Sequence, residues 1–195
     1  MFPERIKLQL EDEIDGFERT TINRLLGSFA NIESEAAEKR KSFLERKSRS
    51  FNPDRDDEAC IEEDGYFEEL NYVCIETALK QEYINSIVTW LFHLFERQKK
   101  RTFGSDKTDV IKPLLSQNSY NLDCCTDWNT LNKELRFAAN AIKHGPESES
   151  AIKLFSGYPN LVDNDCVVMS KSDIERYLVA LRNFWDKALD GQVVL

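Results

Sequence analysis

Three side chains that can act on a phosphodiester recur at one-turn spacing between positions 136 and 144. Arg136, Asn140 and His144 stand at i, i+4 and i+8, so a helix places them one above another. A histidine can move a proton near neutral pH, whereas an arginine fork neutralises charge on two phosphate oxygens. Lys133 and Lys143 share this face. Such a face can bind and transform a phosphodiester, but a merely solvated polar face has the same spacing.

The element that must position these residues is a helix over 131–145 with an apolar side. Its apolar positions are Leu131, Leu135, Ala138, Ala139, Ala141 and Ile142, with Phe137 at the border. Gly145 and Pro146 stop the helix, so His144 falls in the last turn. The negative end of the helix dipole there favours a charged imidazole.

A second polar pair, His93 and Glu96, stands at i, i+3 and resembles half of a metal site. The chain has only two histidines and no second HxxE or ExxH motif, so we expect no metal at this pair. The pair predicts a surface or interhelical hydrogen bond. Alternatively, it supports the arginine helix, if the polar stripes of the two helices face each other.

The hydrophobic periodicity predicts an all-α fold, a bundle of about four main helices with short helices and a short strand near 166–169. The main helices are predicted near 15–48, 58–101 and 131–145, with a last one after 172. Ser172 and Glu175 have the spacing of a capping box for that last helix, and Gly191 is its predicted stop. Short helices are predicted at 109–115 and 149–155.

Charge and length restrict the class of protein. The 195 residues are predicted to form one domain over 1–195, and a net charge of −9 disfavours a general nucleic-acid coat protein. Basic residues nevertheless cluster at 39–49 and 97–101. The charged segment 33–57 is expected to project into solvent or to meet a partner protein such as an antitoxin.

Several motifs are missing from the sequence. It has no GxxxxGK[ST], GxGxxG or GxSxG motif, so the signals of a phosphate loop, a dinucleotide fold and a hydrolase elbow are absent. No apolar run approaches the roughly 20 residues that span a bilayer, and the first residues lack a secretory apolar segment. The five cysteines show no CxxC spacing and are read as reduced thiols. A cytoplasmic protein without membrane contact is expected.

The segment Leu135-Arg136 with Ala139-Asn140-Ala141-Ile142-Lys143-His144-Gly145 resembles the signature helix of the HEPN superfamily (higher eukaryotes and prokaryotes nucleotide-binding). The resemblance implies a helical bundle, often dimeric, and a metal-independent ribonuclease of toxin–antitoxin, abortive-infection or CRISPR defence systems. The chain departs from the family motif in two ways. Seven residues separate Arg136 from His144, a longer interval than usual, and Phe137 replaces the usual polar neighbour.

Two functions are consistent with these features. In the first, the protein is a homodimeric endoribonuclease without metal or cofactor, in which His144 transfers protons, Arg136 stabilises the phosphate and Asn140 orients them. Lys133 and Lys143 would hold the RNA backbone. In the second, the chain is a non-catalytic HEPN-like adaptor whose Arg–Asn–His face binds a nucleotide or a partner protein.

Overall fold

The computed structural model describes residues 4–117 and 120–190, and helices account for nearly all of them. The long helices are α1 (Glu4–Glu18), α2 (Ile32–Ser48), α3 (Glu58–Phe103) and α8 (Lys171–Asp190). The shorter ones are α4 (Thr108–Gln117), α5 (Thr126–Asn129), α6 (Arg136–His144) and α7 (Glu149–Gly157). Two-residue strands β1 (Val162–Asp163) and β2 (Cys166–Val167) complete the fold. The predicted all-α class is confirmed.

The chain divides into two compact units. Arg24–Tyr83 form the first, here called the hairpin unit, which contains α2 and the beginning of α3. Met1–Asn23 and Ile84–Leu195 form the second, here called the core unit, which contains the arginine helix. That 1–195 fold as one domain stays a prediction.

The core unit is built around α8, against which α1, α5 and the turn preceding α6 pack. The predicted inward stripe of α8 is buried as expected (Ile174, Tyr177, Leu178, Leu181, Phe184, Trp185 and Leu189). The ring of Phe184 contacts those of Phe95 and Trp128, with centroid distances of 5.7 and 5.3 Å. Such aromatic pairs add to the stabilisation that burial alone provides. This cluster joins α3, α5 and α8.

The start of α8 differs from its prediction. Ser170 and Asp173, rather than Ser172 and Glu175, form the capping box: the Asp173 amide donates to Ser170 Oγ (3.2 Å), and the Ser170 amide donates to Asp173 Oδ2 (2.9 Å). Both pairs have the required spacing, so sequence could not separate them. The predicted stop at Gly191 lies outside the described residues.

The predicted helix over 15–48 is interrupted. A π-helical turn (Arg19–Leu25) and a 3₁₀ turn (Leu26–Phe29) separate α1 from α2. Thr20, Thr21 and Ile22 are consecutive β-branched residues, which disfavour a regular helix. The Thr21 hydroxyl also donates to the Phe17 carbonyl (2.8 Å), a bond that often accompanies a bend in a helix.

The predicted strand near 166–169 is present but short. Val162 pairs with Val167 in an antiparallel hairpin whose turn residues, Asn164 and Asp165, both have positive φ. That conformation is typical of a type I′ turn, which Asn and Asp tolerate. Among the described helices, none combines the length and apolarity required to cross a bilayer.

In the hairpin unit, the predicted charged segment 33–57 supplies α2 and the turn after it. Arg40 binds Glu62 (3.2 Å) and Glu69 (3.4 Å) on α3, and the Tyr72 hydroxyl donates to Glu35 Oε2 (2.7 Å). A Cβ on Gly65 would come within 3.0 Å of the Leu44 side chain, so the two helices approach closely there. Polar bonds and one close contact thus hold the pair of helices together.

Candidate functional site

The arginine helix is assembled from three consecutive pieces. The short helix α5 begins at Cys125, whose Sγ accepts the amide of Trp128 (3.3 Å). A π-helical turn (Thr130–Leu135) follows and leads into α6. Gly145 ends α6 with a φ of 84°, and its amide donates to the Ala141 carbonyl (2.8 Å). A positive φ favours glycine, so Gly145 fixes His144 as the last residue of the helix.

The polar and apolar sides of this helix lie where the sequence predicts them. The apolar residues Leu131, Leu135, Ala138, Ala139 and Ala141 are buried, and Ile142 is half-buried. Lys133, Lys143 and His144 are exposed, whereas Arg136 and Asn140 are half-buried. The five predicted site residues therefore share the accessible side of one helix. Whether they line a groove stays a prediction.

Distance limits what one copy of this helix can do. His144 follows Arg136 by eight residues, which corresponds to about 12 Å along a helix axis. Side chains of a helix also lean toward its N-terminus, so Arg136 leans away from His144. Reaching one phosphate with both side chains would require both to bend toward Asn140. The spacing fits better if Arg136 and His144 contact two adjacent phosphates of a bound RNA, or if two copies of the helix each supply one of the two side chains.

Phe137 occupies the position where the HEPN motif usually has a polar residue. Its half-buried ring lies 5.3 Å from the guanidinium carbon of Arg136 and 5.9 Å from Nζ of Lys153 on α7. Cations attract the face of an aromatic ring, so Phe137 holds two positive charges beside the helix. Phe137 therefore lies between the positive charges of Arg136 on α6 and Lys153 on α7.

One residue of the basic cluster at 97–101 is a buried lysine. Lys99 on α3 is 2% exposed, and its Nζ donates to the Asp106 carbonyl (3.2 Å). The ammonium also lies 4.5 Å from the ring centre of Phe95 and 5.5 Å from that of Trp128. Lys99 therefore does not share the exposure of its basic neighbours Lys100 and Arg101.

Burial lowers the pKa of Lys99 to about 8. The charges of Glu96 and Asp106 oppose this lowering of the pKa, and the positive charge of Arg136 adds to it. The charges of Glu96 on α3 and Arg136 on α6 thus both act on the Lys99 ammonium. A signal was present in the sequence: Leu91 and Phe95 are buried, and the next position at i+4 is Lys99.

We expect Lys99→Met to stabilise the protein by about 1–3 kcal/mol at pH 7, since a shift of one pKa unit corresponds to about 1.4 kcal/mol. The folded pKa lies below the ordinary value of 10.5, so the unfolded chain binds the proton more readily. The wild-type protein should therefore gain stability as pH rises from about 8 toward 10.5, and the advantage of the variant should shrink.

Urea unfolding followed by tryptophan fluorescence at pH 7 and pH 10 measures this difference. Trp90, Trp128 and Trp185 are the three tryptophans of the chain, and all lie in the core unit. Lys100→Met is the matched control because Lys100 is the exposed neighbour. A Lys99→Met variant less stable than wild type at pH 7 would contradict the assignment.

The pair on α3 makes the predicted hydrogen bond. His93 Nδ1 lies 3.2 Å from Glu96 Oε2, and His93 is exposed. Across residues 4–117 and 120–190, no group of three or more His, Cys, Asp or Glu side chains could hold a metal ion. The prediction that no metal takes part stays a prediction.

A buried carboxylate anchors the turn before α6, and the sequence analysis did not single it out. Glu134 accepts hydrogen bonds from both terminal nitrogens of Arg176 and from the Tyr177 hydroxyl (2.9 Å) on α8. The hydrogen bond to Glu134 raises the pKa of Arg176, and burial raises that of Tyr177. This cluster attaches the arginine helix to the central helix of the core unit.

Comparison with models of known protein families, with curated proteins and with solved structures finds no match to this chain. The resemblance to the HEPN superfamily therefore rests on the residues of α6 and its flanks. The chemistry of the site must be argued from its own side chains.

Proposed function

We propose that the chain is a metal-independent endoribonuclease, HEPN-like, acting in the cytoplasm in a bacterial toxin–antitoxin or phage-defence system. The observation that carries the proposal is that Arg136, Asn140, Lys143 and His144 of α6 are accessible, together with Lys133 in the π-helical turn before it. Two further features support it. Lys99 adds positive charge behind Arg136, and Glu134 holds the helix in place.

The reaction follows from these groups. The 2′-hydroxyl of the RNA gives its proton to a base and attacks phosphorus, while the bond from phosphorus to the 5′-oxygen breaks and that oxygen takes a proton. His144 is the side chain suited to move a proton, and Arg136 stabilises the negative charge that develops on phosphorus. Asn140 orients the groups, and the two lysines bind neighbouring phosphates.

The spacing of about 12 Å favours a homodimer. If two copies pair their α6 helices around a two-fold axis in antiparallel fashion, Arg136 of each copy approaches His144 of the other. Each end of the paired helices would then hold one Arg136–His144 pair, whose two residues come from different copies. Ala138, Ala139 and Ala141 are already buried within the core unit, so the contact would use the polar side of α6.

The competing function is a non-catalytic adaptor that binds a nucleotide or a partner protein through the same face. The long Arg136–His144 interval favours it, because one copy does not bring both groups to one phosphate without bending. An antitoxin on the basic segment 39–49 is compatible with either function.

The purified chain is expected to cleave RNA, in the presence of EDTA, and to leave 2′,3′-cyclic phosphate and 5′-hydroxyl ends. The proposed chemistry needs the 2′-hydroxyl, so DNA of the same sequence should stay intact. Gel analysis of matched RNA and DNA oligonucleotides, with mass spectrometry of the new ends, measures both. Comparable cleavage of DNA would overturn the mechanism, and RNA binding without cleavage would favour the adaptor.

A further inference from the structure

The outward side of α3 in the hairpin unit carries a stripe of exposed apolar side chains, with Asn71 among them. At about 100° per residue its members fall within one half of the helix. They are Phe67, Leu70, Cys74, Ile75, Ala78 and Leu79. Four of these side chains are large and exposed: Phe67 (57%), Leu70 (40%), Ile75 (49%) and Leu79 (47%). Large exposed apolar patches on a protein surface mark interaction sites.

The stripe lies opposite the side that meets α2. Gly65, Glu69 and Tyr72, which approach or bond to α2, project from the other half of the helix. Packing within the hairpin unit therefore leaves the stripe uncovered. It extends over 13 residues from Phe67 to Leu79, about 18 Å, which matches the contact length of a short helix.

The charges beside the stripe identify the chemistry of the partner. Glu63, Asp64 and Glu68 surround Phe67, and within the described α3 the outward half between 60 and 82 carries no Lys or Arg. A groove of about 440 Å³ adjoins this end and is lined by Asp64, Glu68, Lys47, Phe43, Phe67 and Asn71. Its two carboxylates outnumber its one lysine. A positively charged side chain with an apolar stem fits this groove.

We propose that this face binds an amphipathic helix of another protein, whose apolar stripe is flanked by Lys or Arg. A second copy of the chain is a poorer occupant, because its corresponding face offers no cation for Glu63, Asp64 and Glu68. The apolar stripe provides the contact area, and the acidic groups select the partner. This inference does not rest on the proposed nuclease activity, since it concerns only the hairpin unit.

Designed helical peptides test the proposal against the full chain. Both probes have about three heptads with Leu at the a and d positions, and they carry either Lys or Glu at every e and g position. Like charges keep each peptide from associating with itself. Fluorescence anisotropy should show the Lys peptide binding at least about tenfold more tightly than the Glu peptide, and more weakly in high salt.

Two double variants test the contributions of the apolar stripe and of its acidic neighbours to binding. The double change Leu70→Gln and Ile75→Gln should weaken binding of the Lys peptide at least about tenfold, as expected for central apolar contacts. Ile152→Gln is the control, because Ile152 is 61% exposed but lies in the core unit. The double change Glu63→Lys and Glu68→Lys should reverse the preference toward the Glu peptide.

Three results would overturn the proposal. These are equal binding of the two peptides, no binding of either, and a dimer of the free chain that Leu70→Gln with Ile75→Gln dissociates. The last result, measured by light scattering, would make a second copy the occupant. Circular dichroism of each variant verifies that the helices are intact, which exposed positions should permit.

Discussion

His144→Ala is expected to reduce RNA cleavage by at least about 100-fold, the loss typical of removing one general acid or base. His144 is exposed at the end of α6, so its truncation leaves the core unit unchanged. Initial rates on a labelled RNA oligonucleotide, with wild type and variant at equal concentration, measure the effect. Arg136→Ala should lower the rate by a comparable factor, since the charge that stabilises the transition state is removed.

His93→Ala is the matched control for this prediction. It removes the other histidine of the chain, which is also exposed and is bonded to Glu96 on α3. Its effect on the rate should be much smaller, because His93 lies on α3, where its Nδ1 is 3.2 Å from Glu96 Oε2, and not on α6 with the site residues. Full activity of His144→Ala would refute the assigned chemistry. Equal losses in both histidine variants would point to a general disturbance instead.

Glu134→Ala is expected to destabilise the core unit by about 2–3 kcal/mol. Truncation leaves the Tyr177 hydroxyl without its acceptor in a side chain that is 0% exposed. The guanidinium of Arg176 loses two hydrogen bonds as well, although water replaces part of them because that side chain is 44% exposed. Urea unfolding monitored by tryptophan fluorescence gives the free energy of unfolding.

Two controls define the origin of that loss. Glu175→Ala removes an exposed carboxylate paired with Lys171 on the same helix and should change stability by less than about 0.5 kcal/mol. Tyr177→Phe deletes only the hydroxyl, and its effect should be less than additive with that of Glu134→Ala if the two groups are coupled. Additive losses would show that Glu134 and Tyr177 act independently.

These two variants also separate positioning from chemistry. Glu134 touches α8 and faces the interior, whereas His144 lies at the accessible end of α6. Loss of stability with Glu134→Ala and loss of rate with His144→Ala are therefore expected to occur independently. A Glu134→Ala protein that unfolds more readily yet cleaves RNA normally at low temperature would assign the carboxylate a purely structural role.

The spacing of apolar residues was sufficient to predict the helices that bury one side. The apolar residues of α8 at inward positions and Ala138, Ala139 and Ala141 of α6 are buried as helical spacing predicts. The same holds for the apolar stripe of the second half of α3 (Ile84, Ile87, Val88, Leu91, Leu94 and Phe95). Gly145 likewise ends α6 where the sequence places the stop. These features depend on residues within a few turns of one another, so periodicity and capping preferences determine them. The candidate site, as a set of residues on one helix face, belongs to this category.

Competition between local signals was harder to resolve. Ser170 and Ser172 each precede an acidic residue by three positions, and the chain uses the first pair for the cap of α8. The π-helical and 3₁₀ turns between α1 and α2 replace a continuous helix although the apolar spacing is helical there. Sequence preferences at these positions differ by too little to select one outcome without the surrounding packing.

Only the tertiary structure decided which charged side chains are buried and which residues they contact, because these contacts join separate parts of the chain. Glu134 meets Arg176 and Tyr177 more than 40 positions away, and Lys99 is buried because Trp128 and the loop at Asp106 cover it. Burial of a charge depends on which elements pack over it, and that is a property of the assembled core unit. The amino-acid sequence alone thus determined the helices and the polar face of α6, whereas folding determined which charges support that face.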